Sequence, residues 1–242
     1  MSPQTRPPAL ALALACGALL ASCTSPRLLI EANEGNLRTA RTVATAFYHE
    51  HGARAGLRDI PFVTVGMDAG TGFEYDADHN VLFLTPYEYA DFDTQKFFTR
   101  ASLGGSGKDA YNALLFEFFT AHQLMHLLYE ALPLPAVAEY EEERHINAMT
   151  WLFLRRQGLD PEREAAWLTT VANLEGDLGR RFPGASGDAD LVAALAVVDN
   201  PSYWFVTADL LQRSYREAAD YASEGAYITE LLLPSDEAQA AR

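Results

Sequence analysis

The chain has 242 residues, 49% of them hydrophobic, which is enough to bury one sizeable core. Its 18 basic and 33 acidic residues give a formal net charge of −15, so nucleic acid is a poor partner and anionic lipid would repel the molecule as a whole. The only cysteines are Cys16 and Cys23, too few for a disulfide framework.

Arg6 precedes an apolar run from Ala9 to Leu20, too short to span a bilayer and of signal-peptide length. It ends in Leu20-Ala21-Ser22-Cys23, which resembles the lipobox of bacterial lipoproteins. That resemblance implies cleavage before Cys23, lipid on its thiol, and Thr24 in a position that favours the outer membrane. Ala13-Leu14-Ala15-Cys16 fits less well, because its leading position lacks a branched apolar side chain. Residues 1–22 are then a signal peptide and 23–35 a tether. Residues 36–234 form one domain, and 235–242 are a polar tail. No later stretch approaches transmembrane length, so the lipid would be the anchor.

Asn36 is expected to cap a helix running to about His51, with Gly52 stopping it. His49 and His51 then read as solvated side chains at its negative end. "IPFVTVGM" reads as a strand, and "GFEYDADHNVLFLTP" as a hairpin with strands Phe73–Tyr75 and Val81–Leu84. Helices come next over Tyr87–Ala101, from Asp109 to about Ala131, over Glu139–Gln157, and from Pro161. Pro133 and Pro135 close the second of these. The "LGGSGKD" loop holds Gly104, Gly105 and Gly107 without the lysine-serine ending of a phosphate cradle. C-terminal helices are expected over roughly Ala189–Val198, Ser202–Glu224 and Ala226–Leu233, with 203–215 an amphipathic, aromatic-rich core element. The predicted class is α+β: a helical majority with a small antiparallel sheet.

Chemistry concentrates in "FFTAHQLMHLLYEALPLP". His122 and His126 are four residues apart, so on a helix both imidazoles can address one ion. Zinc accepts neutral imidazoles at about 2.0–2.1 Å and needs a third protein ligand in a catalytic site. The next helix offers Glu139, Glu142, Glu143 and His145. Glu143 is preferred on spacing, because Asn147 then lies one turn on as a hydrogen-bond acceptor for a ligating imidazole. A chance histidine pair and a solvated acidic face are the bland alternatives, and the apolar "LLFEFF" before the pair speaks against exposed histidines.

From about Val81 to Arg155 the chain resembles the gluzincin metallopeptidases, whose zinc helix reads H-E-x-x-H and whose next helix supplies a glutamate. It is most similar to an uncharacterised bacterial family with a Tyr-Glu pair after a strand, then H-E-L-G-H, an L-P turn and E-E-x-x-A-D. Here Tyr87-Glu88, His122-Gln123-Leu124-Met125-His126, Leu134-Pro135 and Glu142-Glu143-Arg144-His145-Ile146-Asn147 occur in that order. The resemblance implies a zincin-like domain with zinc on His122, His126 and Glu143, and the Val81 strand as the edge bordering a peptide cleft. Three positions depart from it: Met125 for glycine, Asn147 for aspartate and Gln123 for the general base. A glutamine amide cannot carry the proton from a metal-bound water to a leaving amine, and loss of that step alone costs about 10²–10⁴-fold. Glu130, one turn beyond His126, is a candidate for the base role, His145 for a ligand or proton carrier, and Tyr140 for stabilising an oxyanion; their bland alternatives are a surface charge, a partly buried imidazole and a packing residue. The expectation is a membrane-anchored lipoprotein with a catalytically impaired zinc-peptidase-like domain that binds peptide or protein. An active peptidase with an unusual base and a metal-free structural lipoprotein are the alternatives.

Overall fold

A computed structural model describes residues 26–66, 72–102, 105–181 and 200–233. The lipobox, the helix expected over 189–198 and the polar tail lie outside them. The described chain is α+β, a helical majority with one three-stranded sheet.

Helix α1 (Pro26–Ala32) leads through Asn33 into α2 (Glu34–His51). The stretch expected as a tether is therefore helical from Pro26, and Leu29 is buried in it. Asn36 does not cap α2: the residue before the helix is Asn33, whose amide donates to the Leu29 carbonyl at 3.1 Å. Leu37, Ala40, Ala44 and Phe47 recur three or four residues apart and turn one face of α2 into the core.

Strands β1 (Phe62–Val65), β2 (Phe73–Asp76) and β3 (Val81–Leu84) form the sheet in the order β1-β3-β2. β2 and β3 are the expected hairpin, turned through Asn80 at φ 54°. β1, however, pairs parallel with β3, with Phe62 opposite Val81, so the sheet is mixed rather than antiparallel. Val81–Leu84 is thus the central strand, and the edge strand packed on the histidine helix is β2. A hairpin fixes only its own two strands; where β1 docks is decided by its packing on α2 and by burial of Val63 with Leu82 and Leu84 in the core. Gly72 enters β2 at φ +90°, and a Cβ there would meet the Tyr111 hydroxyl at 2.7 Å.

Tyr87–Tyr89 is a single 3₁₀ turn, and the helix expected from Tyr87 begins only at Phe92, as α3 (Phe92–Ala101). Asp91 caps it by accepting from the Asp93 and Thr94 amides at 2.9 and 3.0 Å. Ser106 likewise caps α4 (Gly107–Ala113), accepting from the Asp109 amide at 3.1 Å. Gly107 packs against α3, where a Cβ would lie 2.7 Å from the Thr99 nitrogen. A π-helical segment, Leu114–Phe119, joins α4 to α5 (Thr120–Glu130) without a break in the chain's course. After the proline turn come α6 (Glu139–Arg156), α7 (Pro161–Arg181), α8 (Asn200–Ala218) and α9 (Glu224–Leu232).

α6 is the axle of the helical layer, packed by α5, α8 and α9. Ile146 to Leu154 are all buried, and the Trp151 indole donates to the Leu211 carbonyl at 3.2 Å. α8 is a core helix at least from Thr207 to Leu211, in accord with its amphipathic pattern.

Candidate metal centre

Helix α5 turns Ala121, Leu124, Met125 and Leu128 into the core, and His122 shares that buried side. The proline turn folds α6 back against α5, which brings a carboxylate from the next helix over the imidazoles. The Nε2 atoms of His122 and His126 lie 3.1 Å apart. Glu143 places Oε2 3.4 Å from the first and Oε1 3.3 Å from the second. Three side chains from two helices thus meet at one point and could hold a metal ion.

His122 is 3% exposed. Its Nδ1–H donates to Asn147 Oδ1 at 3.1 Å, which leaves the Nε2 lone pair aimed at the common point. The ring is walled by Phe73 of β2, Phe118 and Phe119, with centroids at 6.2, 6.5 and 5.8 Å. Phe73 in turn stacks on Phe119 at 4.8 Å, fastening the edge strand to the histidine helix. The π segment sets Phe118 and Phe119 one residue out of α-helical phase just before the site; the pattern "LLFEFF" shows only that this stretch is apolar.

Electrostatics here are governed by burial. Burial, outweighing the nearby Glu143 carboxylate, depresses the His122 imidazole to about 4, so it is neutral at pH 7. For His126 burial acts downward too, but the hydrogen bond and charge of Glu143, aided by Glu142 and Glu130, leave it raised. Burial pushes Glu143 up, and the two imidazoles overcome it and hold the carboxyl below its ordinary value. The set offers two nitrogen lone pairs and a carboxylate, a donor combination that favours a borderline-soft divalent cation.

The other residues singled out from the sequence fall elsewhere. Gln123 comes directly after His122, is half-buried, and has no protein hydrogen-bond partner among the described residues. His145 is turned away: its Nδ1 lies 2.6 Å from the Tyr227 hydroxyl, and its ring stacks on Tyr129. It is neither ligand nor proton carrier here. Tyr140 is buried against Asp209, to which its hydroxyl donates at 3.3 Å, so it cannot polarise a bound carbonyl. Glu139 and Glu142 are not part of the cluster, and Glu130 is exposed on α5.

A second group of possible donors, Glu50, His51 and Glu224, lies where α2 and α6 end and α9 begins. Here the Arg156 guanidinium already bridges both carboxylates, so the cation is supplied by the chain itself. His51, expected in solvent, instead reaches Glu224 Oε1 at 3.2 Å and packs on Phe47 and Phe153. Nothing in the sequence joins three helix ends so far apart.

No protein-family model, curated protein or solved structure matches the chain. Among the described residues no helix is long and apolar enough to cross a membrane.

Proposed function

We propose that this chain is an envelope lipoprotein whose domain holds zinc on His122, His126 and Glu143 and binds a peptide or protein ligand without efficient cleavage. The observation that carries the metal is the donor triangle. Ligands placed tetrahedrally at about 2.0–2.1 Å from zinc lie about 3.3–3.4 Å from one another. The two Nε2 atoms are 3.1 Å apart, and each has one oxygen of the Glu143 carboxylate at a similar distance, Oε2 at 3.4 Å from His122 and Oε1 at 3.3 Å from His126, close to that edge. Both imidazole Nε2 atoms and the Glu143 carboxylate point at the same spot, as ligands of a single ion would. Asn147 behind His122 and the aromatic wall support a site held in one geometry.

Bound there, zinc would supply Lewis-acid polarisation of a ligand carbonyl or water. The protein's own residues restrict proton transfer at the site. By its resemblance to the H-E-x-x-H helix, Gln123 takes the position of the proton shuttle, and its amide neither accepts nor releases a proton at working pH. Strand β2 is an edge strand beside the histidine helix, and such an edge accepts an extended peptide by strand addition. A set of metal donors, a strand at the sheet edge and a missing base together favour binding over turnover. The membrane anchor rests on the Leu20-Ala21-Ser22-Cys23 box.

Metal analysis tests the reading. The purified protein should carry about one zinc per chain, and His122→Ala should carry none; a wild type free of zinc after reconstitution ends the proposal. Gln123→Glu should then produce chelator-sensitive cleavage of casein or a peptide library that the wild type lacks. Equal, chelator-sensitive cleavage by the wild type would instead establish an active peptidase with an unusual base.

A further inference from the structure

Tyr87 and Glu88, the pair that follows β3, lie outside the metal cluster, and both reach α4 instead. The Tyr87 amide donates to Asn112 Oδ1 at 3.2 Å, and Glu88 forms an ion pair with Lys108. Lys108 and Asn112 line a cleft of about 340 Å³ bounded by α2, α4, the π segment and α7, at the small end of ligand-sized cavities. Asn112 is 5% exposed. With its oxygen turned to the Tyr87 N–H, its Nδ2 faces the other way. That nitrogen has no partner among the described residues and is not sealed from solvent, so it opens on the cleft. A buried amide fixed by a backbone N–H, with its own two N–H bonds unused, calls for a partner from outside the chain.

We propose that this cleft is a saccharide site that takes one or two sugar rings through their hydroxyls. It depends on neither the zinc nor the anchor. The state of the charges decides the class of ligand. Both cations on the cleft are already matched within the chain, Lys108 by Glu88 and Arg163 by Glu117. A phosphate or carboxylate would have to break one of these pairs and would also meet Asp109. A free amino acid needs an unpaired charge of each sign, and the Asp109 carboxylate alone among the four lining charges has no ion pair or hydrogen bond among the described residues. The capacity left over is mixed and mostly neutral. Asn112 offers two N–H donors and Thr39 a hydroxyl without a partner among the described residues. Asn36 spends its Nδ2 on Asn33 Oδ1 at 3.3 Å and keeps its own Oδ1 as an acceptor. Asp109 adds two acceptor oxygens. Each sugar hydroxyl both donates and accepts, so a row of neighbouring hydroxyls satisfies such a set where a purely anionic or cationic ligand does not.

The test is isothermal titration calorimetry on the purified full chain, with glucose, N-acetylglucosamine, maltose and chitobiose as the probes. A ligand of this size should bind with a Kd of about 0.1–10 mM. Thr39→Val is isosteric and breaks no hydrogen bond among the described residues, and it should raise the Kd of the bound probe about threefold or more. Asn112→Leu removes the buried donor and should raise it at least about tenfold. That change also strips the Tyr87 N–H of its acceptor, so circular dichroism checks its fold, and Thr39→Val decides alone if Asn112→Leu is unfolded. Thr42→Val makes the same change on the same helix outside the cleft and should bind as the wild type does. The proposal is overturned if none of the four sugars binds, if a sugar binds with a Kd that neither folded variant changes, or if inorganic phosphate or serine binds in place of a sugar.

Discussion

Asn147→Ala is the most informative substitution for the metal centre, because Asn147 touches no ion yet fixes the ligand that does. Its Oδ1 accepts from His122 Nδ1 at 3.1 Å, and it is 2% exposed between buried Ile146 and Ala148. Removing it leaves a buried N–H without an acceptor, which costs about 1–3 kcal/mol. For a domain of this size that lowers Tm by a few to about 10 °C. The loss should fall more heavily on metal than on fold. Partners of ligating histidines typically contribute 10–100-fold to metal affinity, so the zinc Kd should rise by that factor in a competitive chelator titration. Asn147→Asp should reverse the effect, since a carboxylate accepts the same hydrogen bond and raises the basicity of Nε2. A Kd unchanged in Asn147→Ala, beside the expected drop in Tm, would show that His122 is not held for a metal and refute the reasoning.

Metal-free protein should lose stability as pH falls from about 6.5 to 4. His122 resists protonation until about 4 while the unfolded chain takes up a proton near 6.5, so the unfolded state binds more protons in that window. The full separation is worth up to about 3 kcal/mol, and burial with the neighbouring Arg144 makes His145 act in the same direction. Raised His126 and lowered Glu143 act differently. Their contribution is complete between the ordinary carboxyl and imidazole values, fading as pH falls through the Glu143 value or rises through the His126 value. Urea midpoints with chelator across pH 4–7.5 should show a slope that His122→Asn flattens. Gly107→Ala should destabilise by about 1–3 kcal/mol in the same assay, because its Cβ would drive α4 away from the Thr99 backbone. Glu224→Gln should cost about 1.5–3 kcal/mol, since it removes the buried charge that Arg156 and His51 share and leaves them Glu50 alone, and a loss below 1 kcal/mol would contradict the role given to that junction.

Some elements of the molecule are written locally. Proline stops after α5, the Asp160-Pro161 opening of α7, the Asn80 turn and the buried stripe of α2 depend on neighbours within a few residues, and the sequence alone places them. The four-residue spacing of His122 and His126 puts them on one face by helix geometry, whatever surrounds the helix. The chemistry of Gln123 is likewise fixed by its identity.

What only the tertiary structure decided concerns partners far apart in the chain. Spacing preferred Glu143 but left Glu139, Glu142 and His145 open; the way α6 lies on α5 puts Glu143 3.3–3.4 Å from the imidazoles and turns His145 to Tyr227. The mixed sheet, with β3 in the middle and β2 at the edge beside His122, arises from long-range docking of β1. His51 leaves solvent only because Glu224, 173 residues away, is carried to it by α9. Local propensity acts through bonds to the nearest turns, whereas these pairings are chosen by burial of one face against another, which no window of sequence contains.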